Sequence, residues 1–95
     1  MMTSYLITYD LLKPTKDYSR LYSGIRAIDA GAWHGLESVW IVQSQLSAAA
    51  IRDYLAGCID ANDRVLVTAV AKEWAGLRLP DTANLARITE TLLRA

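Results

Sequence analysis

The apolar residues of this chain switch between a period of two and a period near 3.6, and that switching limits the fold more than any other feature. Tyr5 to Leu11 alternates: Tyr5, Ile7, Tyr9 and Leu11 face one way, and Leu6, Thr8 and Asp10 face the other. This predicts a strand. "KPTKD" breaks the alternation with Pro14. Tyr18, Leu21, Tyr22, Ile25 and Ile28 then follow at helical spacing, with Thr15 or Asp17 as candidate cap and Gly31 as the stop. Val39 to Gln43 returns to strand character. The stretch from Trp33 to Gln45 is long for one strand, so it is either a bent strand or a hairpin split near Ser38.

Ser47 is placed to cap a second helix, whose buried stripe is Ile51, Leu55 and Cys58. "DAND" (residues 60–63) is a turn cluster. "RVLVTAVA" (residues 64–71) carries apolar residues on both faces, the pattern of a central strand covered on both sides. "KEWAGLRLP" reads as a short edge strand or a loop. Leu85, Ile88 and Leu92 space a last helix capped by Asp81. The order β-α-β-α-β with a terminal helix predicts an α+β fold: an antiparallel sheet with helices mainly on one face, the split βαβ arrangement. The strands Tyr5 to Leu11 and Val65 to Ala71 should be antiparallel neighbours. The other sheet face then needs cover from the terminal helix or a second copy of the chain.

At 95 residues a single domain (1–95) is expected, and 53% hydrophobic residues suffice for a core. A domain this small gains from oligomerisation. Ten basic and ten acidic residues cancel, which removes a global basic field for nucleic acid but not a local patch. The single Cys58 rules out an internal disulfide and an all-cysteine metal site. No apolar run is long enough to span a bilayer, and the N-terminus lacks a signal-peptide pattern, so a cytoplasmic protein without membrane contact is expected. No GxGxxG, CxxC or HExxH occurs, which removes support for nucleotide hydrolysis, redox exchange and zinc chemistry.

Four groups carry candidate chemistry. Asp10 ends the first strand beside a loop. Its carboxylate either binds a divalent cation or bonds the backbone of the turn that follows. One carboxylate is a poor Mg²⁺ site, whereas two copies of Asp10 across a two-fold axis would make a better one. Lys13, Lys16 and Arg20 cluster after it and either hold phosphate oxygens or form a solvated face, with Arg20 and Asp17 as an ion pair. His34 has no paired nucleophile, which favours surface or packing duty. Trp40 belongs to the core. Trp33 and Trp74, next to turns, are interface candidates.

"YLITYDL" ending in Tyr9-Asp10, a helix, and then "ESVWIV" with Ser38-Val39-Trp40 resemble the small CRISPR-associated adaptation subunits of the Cas-two type and their VapD-type and SinR-like relatives. "DRVLVTAV" is similar to their later strand, and "WIVQSQLSAAAIRDYL" brings the SinR-like branch closest. The resemblance spans roughly residues 4–71 and implies a ferredoxin-like fold and a symmetric homodimer. In the catalytic members the aspartate ending the first strand binds a divalent metal, and Asp10 matches it. The resemblance therefore implies a metal-dependent endonuclease acting on RNA or DNA, with Asp10 catalytic and holding Mg²⁺ or Mn²⁺. Lys13, Lys16 and Arg20 would position the substrate backbone, and Trp74 would sit in the interface. The alternative it implies is a non-catalytic dimeric module of the SinR-like branch that binds another protein.

Overall fold

A computed structural model describes residues 2–12, 18–71, 73–81 and 83–87. The chain runs β1 (Thr3–Asp10), α1 (Ser19–Ile28), β2 (Trp33–Leu36), β3 (Val39–Ser44), α2 (Ala48–Ala56) and β4 (Arg64–Ala69), and residues 83–87 are again helical. The four strands form one antiparallel sheet in the order β2-β3-β1-β4. The expected pairing of the first and last strands holds, with Tyr5 opposite Ala69 and Asp10 opposite Arg64. The Trp33 to Gln45 stretch is a hairpin turning at Glu37 and Ser38.

Sequence parity divides the sheet into two faces. Tyr5, Ile7 and Tyr9 of β1 and Trp40 and Val42 of β3 lie with α1 and α2 in one core. From the helices, Leu21, Ile25, Ile51 and Leu55 complete it, all fully buried. Burying a side chain of this size is worth about 1.5–3 kcal/mol, so this layer dominates stability. The expected cap of α2 is present: the Ala50 N–H donates to Ser47 Oγ over 3.1 Å. α1 has Tyr18 at its N-cap position. The caps expected for it, Thr15 and Asp17, lie outside the described residues. Its C-cap is Asp29, so Gly31 falls in the turn beyond the helix stop.

The second face holds Leu6, Val39 and Ile41, covered among the described residues by Val70, Leu79 and, from the helical stretch 83–87, Leu85. Trp33 packs there with Val39, Ile41, Val70, Leu79 and Leu85. Its indole Nε1–H donates to the Pro80 carbonyl over 2.8 Å. A polar ring atom with a partner is a condition for burying tryptophan, and Trp33 is only 1% exposed. Gly35 is dictated by the same ring, since a Cβ there would collide with Trp33 Cζ2. Arg78 and Asp81 both have left-handed backbone (φ 55° and 54°), which turns the chain sharply around Pro80.

Four expectations need correction. β4 is an edge strand, not a central one, and Leu66 is 59% exposed on it. Its two-sided apolar pattern was misleading because only Val65 and Val67 pack against the core, while Leu66 faces the other way. Trp33 is a core residue within β2, buried because the chain folds back over it. Cys58 lies in the turn after α2 and is half-buried, with its thiol 3.7 Å from the Tyr54 carbonyl. Residues 73–76 have no regular structure, which resolves "KEWAGLRLP" as loop over its described part. Asp81 precedes the last helix, but its carboxylate accepts from the Asn84 side chain at 3.0 Å. Ile88 and Leu92 lie outside the described residues.

Candidate functional site

Asp10 closes β1 on the second face, as its shared parity with Leu6 and Thr8 predicts. Its carboxylate is 66% exposed and lies 3.8 Å from the Arg64 guanidinium, itself 77% exposed. The two border a shallow basin of about 240 Å³ with Thr8, Tyr9, Val65 and Leu66. An exposed carboxylate suffers no desolvation, so nothing here forces Asp10 to find a buried partner.

The loop after β1 is tied instead by Asp63. Its Oδ1 accepts from the Leu12 N–H over 2.9 Å and from the Tyr18 hydroxyl over 3.3 Å. Its Oδ2 accepts from the Asp60 N–H over 3.0 Å. Asp63 thus performs turn-shaping by carboxylate at Leu12 and in its own turn. The "DAND" turn cluster pointed to this residue, but nothing in the sequence pointed to its partners.

Of the three candidate cations, the structure describes Arg20 alone. Lys13 and Lys16 lie outside the described residues. Arg20 belongs to the helix layer, where it donates to the Gly57 carbonyl over 2.8 Å and joins the start of α1 to the end of α2. Asp10 points to the opposite face. Among the described residues no group of three or more His, Cys, Asp or Glu side chains is gathered to hold a metal ion. Mg²⁺ and Mn²⁺ require several oxygen ligands. Among the described residues the Asp10 carboxylate stands with a cation beside it and no second carboxylate gathered to it.

His34 stacks flat on Trp40, with ring centroids 3.8 Å apart and planes 11° from parallel. Its Nε2 lies 3.1 Å from the Glu37 carbonyl oxygen, which makes that nitrogen the donor. Arg26 lies over the same indole at 5.1 Å from the ring centre. Trp40 Nε1–H donates to the Tyr9 hydroxyl over 3.1 Å, and that hydroxyl donates to the Glu37 carbonyl over 3.3 Å. Burial pushes the Tyr9 phenol up to about 12, with the Trp40 bond only partly offsetting it. The phenol therefore stays protonated, and this cluster is packing, in agreement with the role expected for His34.

A more apolar concavity also lies on the second face. Leu6, Trp33, Val39, Ile41, Leu79 and Leu85 form the floor and walls of an apolar groove of about 200 Å³. At its rim Leu36 is 49% exposed and Trp74 42% exposed, and Leu77 nearby is 73% exposed. The covering segment is fastened at its far end by Arg87. Its guanidinium donates to Gln43 Oε1, to the Gly31 carbonyl and, over 3.1 Å, to Asp29 Oδ2. Asp29 also accepts from the backbone N–H groups of Gln43 and Gly31. Desolvation raises the Asp29 pKa, but these bonds and the Arg87 charge outweigh it and hold the carboxyl below its ordinary 3.8. Sequence reasoning singled out neither residue, because no local pattern links positions 58 residues apart.

No known family model matches the chain, and no solved structure matches it. No helix among the described residues is long and apolar enough to cross a membrane.

Proposed function

We propose that this chain is a ferredoxin-like homodimeric interaction module of the cytoplasm, docking a protein partner through the apolar groove of its second sheet face. The element order and the strand order β2-β3-β1-β4 support the ferredoxin-like arrangement. The observation that carries the functional reading is the pairing of Leu36 and Trp74 on the rim of one apolar groove, each more than 40% exposed. Large apolar side chains exposed together mark interaction surfaces, whereas isolated ones do not. Trp74 is the anchor, because aromatic residues at such rims supply much contact area at small entropic cost. The test is a photo-crosslinking side chain at position 74 and, as a control, at the exposed Asp53 of α2, in the native cell. Adducts to a defined protein from position 74 alone are expected. Absent adducts, or the same adducts from position 53, would reject the proposal.

A second reading, a metal-dependent nuclease acting on RNA or DNA, is favoured by one observation. The Asp10 carboxylate, which matches the metal-binding aspartate implied by the Cas-two and VapD resemblance, is open to solvent at the strand end. An Mg²⁺ or Mn²⁺ ion held there would activate water and offset phosphate charge, with oxygen ligands drawn from beyond one chain. Lys13, Lys16 and Arg20 would hold the substrate backbone. Cleavage of single- or double-stranded RNA or DNA that requires Mg²⁺ and vanishes in Asp10→Asn would establish this activity. Cleavage at full rate in the variant would remove Asp10 from it.

A further inference from the structure

Two buried polar side chains on the second face are left short of a bond. Ser4 of β1 is 2% exposed and Gln43 of β3 is 8% exposed. Among the described residues neither Ser4 Oγ nor Gln43 Nε2 has a hydrogen-bond partner. Ser44, the next residue, is also buried but satisfied, because its Oγ accepts from the Leu46 N–H over 3.0 Å. Buried polar groups in folded proteins are nearly always paired, so Ser4 and Gln43 call for a partner.

The register places the two side by side. Ser4 stands directly opposite Gln43 in the β1–β3 pairing. The Ser4 carbonyl accepts from the Val70 N–H on the β4 side, and the Gln43 N–H donates to Asp29 on the other side. The two residues therefore exchange no backbone bonds with each other. In such a pair the Cα atoms approach to about 4.5 Å and the side chains lie closest. Ser4 shares its face with Leu6, and Gln43 shares its face with Ile41, so both side chains rise from the second face.

Arg87 fixes which end of the Gln43 amide is left over. A guanidinium only donates, so the Gln43 atom it holds at 2.6 Å is Oε1. The Nε2 group is the remaining end, with two N–H donors. Turning the amide so that Oε1 meets the Ser4 hydroxyl would give up a charge-assisted bond. The missing partner must accept from Nε2, bond a hydroxyl and fit between neighbouring side chains. A buried charge would also need a counter-charge, and Arg87 is already paired with Asp29.

We infer that one ordered water molecule bridges Gln43 Nε2 and Ser4 Oγ. It accepts from the amide and donates to the hydroxyl oxygen, the use to which buried waters are commonly put. The bridge carries the polar cluster of Asp29, Arg87 and Gln43 across to β1, so the fastening of the covering segment reaches the central strand. The apolar groove of the proposed function takes no part in it, so this inference and that reading fail separately.

A crystal structure of the wild-type chain, at a resolution that shows ordered water, is the direct test. One density peak within hydrogen-bond reach of both Gln43 Nε2 and Ser4 Oγ is expected. Ser4→Ala is the second test, and its sign discriminates. Where water spans the two groups, the alanine removes a bond and should lower the melting temperature by about 4–8 °C. Where Ser4 Oγ is an unpaired buried hydroxyl, its removal relieves a desolvation cost and the melting temperature rises. Three results would overturn the inference: no peak common to both atoms, a direct bond between them, or a melting temperature that is unchanged or raised in Ser4→Ala.

Discussion

The two faces of the sheet use similar residues and reach different degrees of order. On the helix face, Ile7, Trp40 and Val42 are sealed by two helices whose stripes were spaced for that purpose. On the second face, Leu6, Val39 and Ile41 are covered by irregular chain and the short helical stretch 83–87, with Trp33 the one fully buried side chain of that cluster among the described residues and a groove left beside it. The difference is one of periodicity. A helix presents a row of side chains to a sheet, whereas a loop presents single residues and must be fastened at points. Here those points are the Trp33–Pro80 bond and the Asp29–Arg87 cluster. The lesson is that an apolar face can be closed and still remain the place where a small domain opens first.

The sharpest way to break the comparison is to cut into each layer. Leu55→Ala, in the fully buried helix layer, should cost about 2–5 kcal/mol. Denaturant unfolding should show it as a shift of the single global transition. Equal exchange protection loss confined to α2 would count against one cooperative core.

Trp33→Phe keeps an aromatic ring and removes the donor to Pro80. The expected cost is smaller, about 0.5–1.5 kcal/mol for a lost hydrogen bond, with further loss from the smaller ring. It should appear mainly as faster amide exchange in residues 73–81. Uniform acceleration across all strands would mean that the second layer unfolds only with the first.

Acid should loosen the same segment from its other end. The Asp29 side chain is 12% exposed, and its pKa in the fold lies below that of the unfolded chain. The stabilisation it provides is therefore complete above the ordinary carboxyl range and is lost as pH falls through the lowered folded value. Chemical shifts of Gly31 and Gln43 should titrate in that acid window, and Asp29→Asn should abolish the transition. Titration at the ordinary carboxyl value would show that Arg87 is not engaged.

The smallest effect belongs to Asp10. Its pair with Arg64 is open to water on both sides, and such pairs contribute about 0–1 kcal/mol. Asp10→Asn should leave the melting temperature almost unchanged. A large drop would assign Asp10 to the structure of the loop after all.

The helix layer was largely legible in the sequence, because Tyr18, Leu21, Ile25, Ile51 and Leu55 declare their period and Ser47 its cap. The first strand and the face of Asp10 were legible for the same reason. The second layer was not. Trp33 beside Gly35 reads as a turn until Pro80 is known to arrive above it, and no local pattern links positions 47 residues apart. β4 misled because an edge strand with an exposed leucine has the composition of a central one. Asp63 was visible as a turn former, but its grip on Leu12 depends on a contact across 51 residues.

The central position of β1 sets the order in which this chain can acquire structure. β1 is the first strand in sequence, yet it pairs with β3 through Thr3–Ser44 and with β4 through Tyr5–Ala69. Neither partner is local, so the entropy of closing two long loops is lost before the sheet returns any of it. Helices α1 and α2 can flicker into being early, on sub-microsecond timescales, but they have no surface to settle on until β1 and β3 pair. Folding should therefore be slow for so small a chain, with its rate controlled by the pairing of β1 with its distant partners and not by either helix. Until residues 64–69 arrive, one edge of β1 stays exposed.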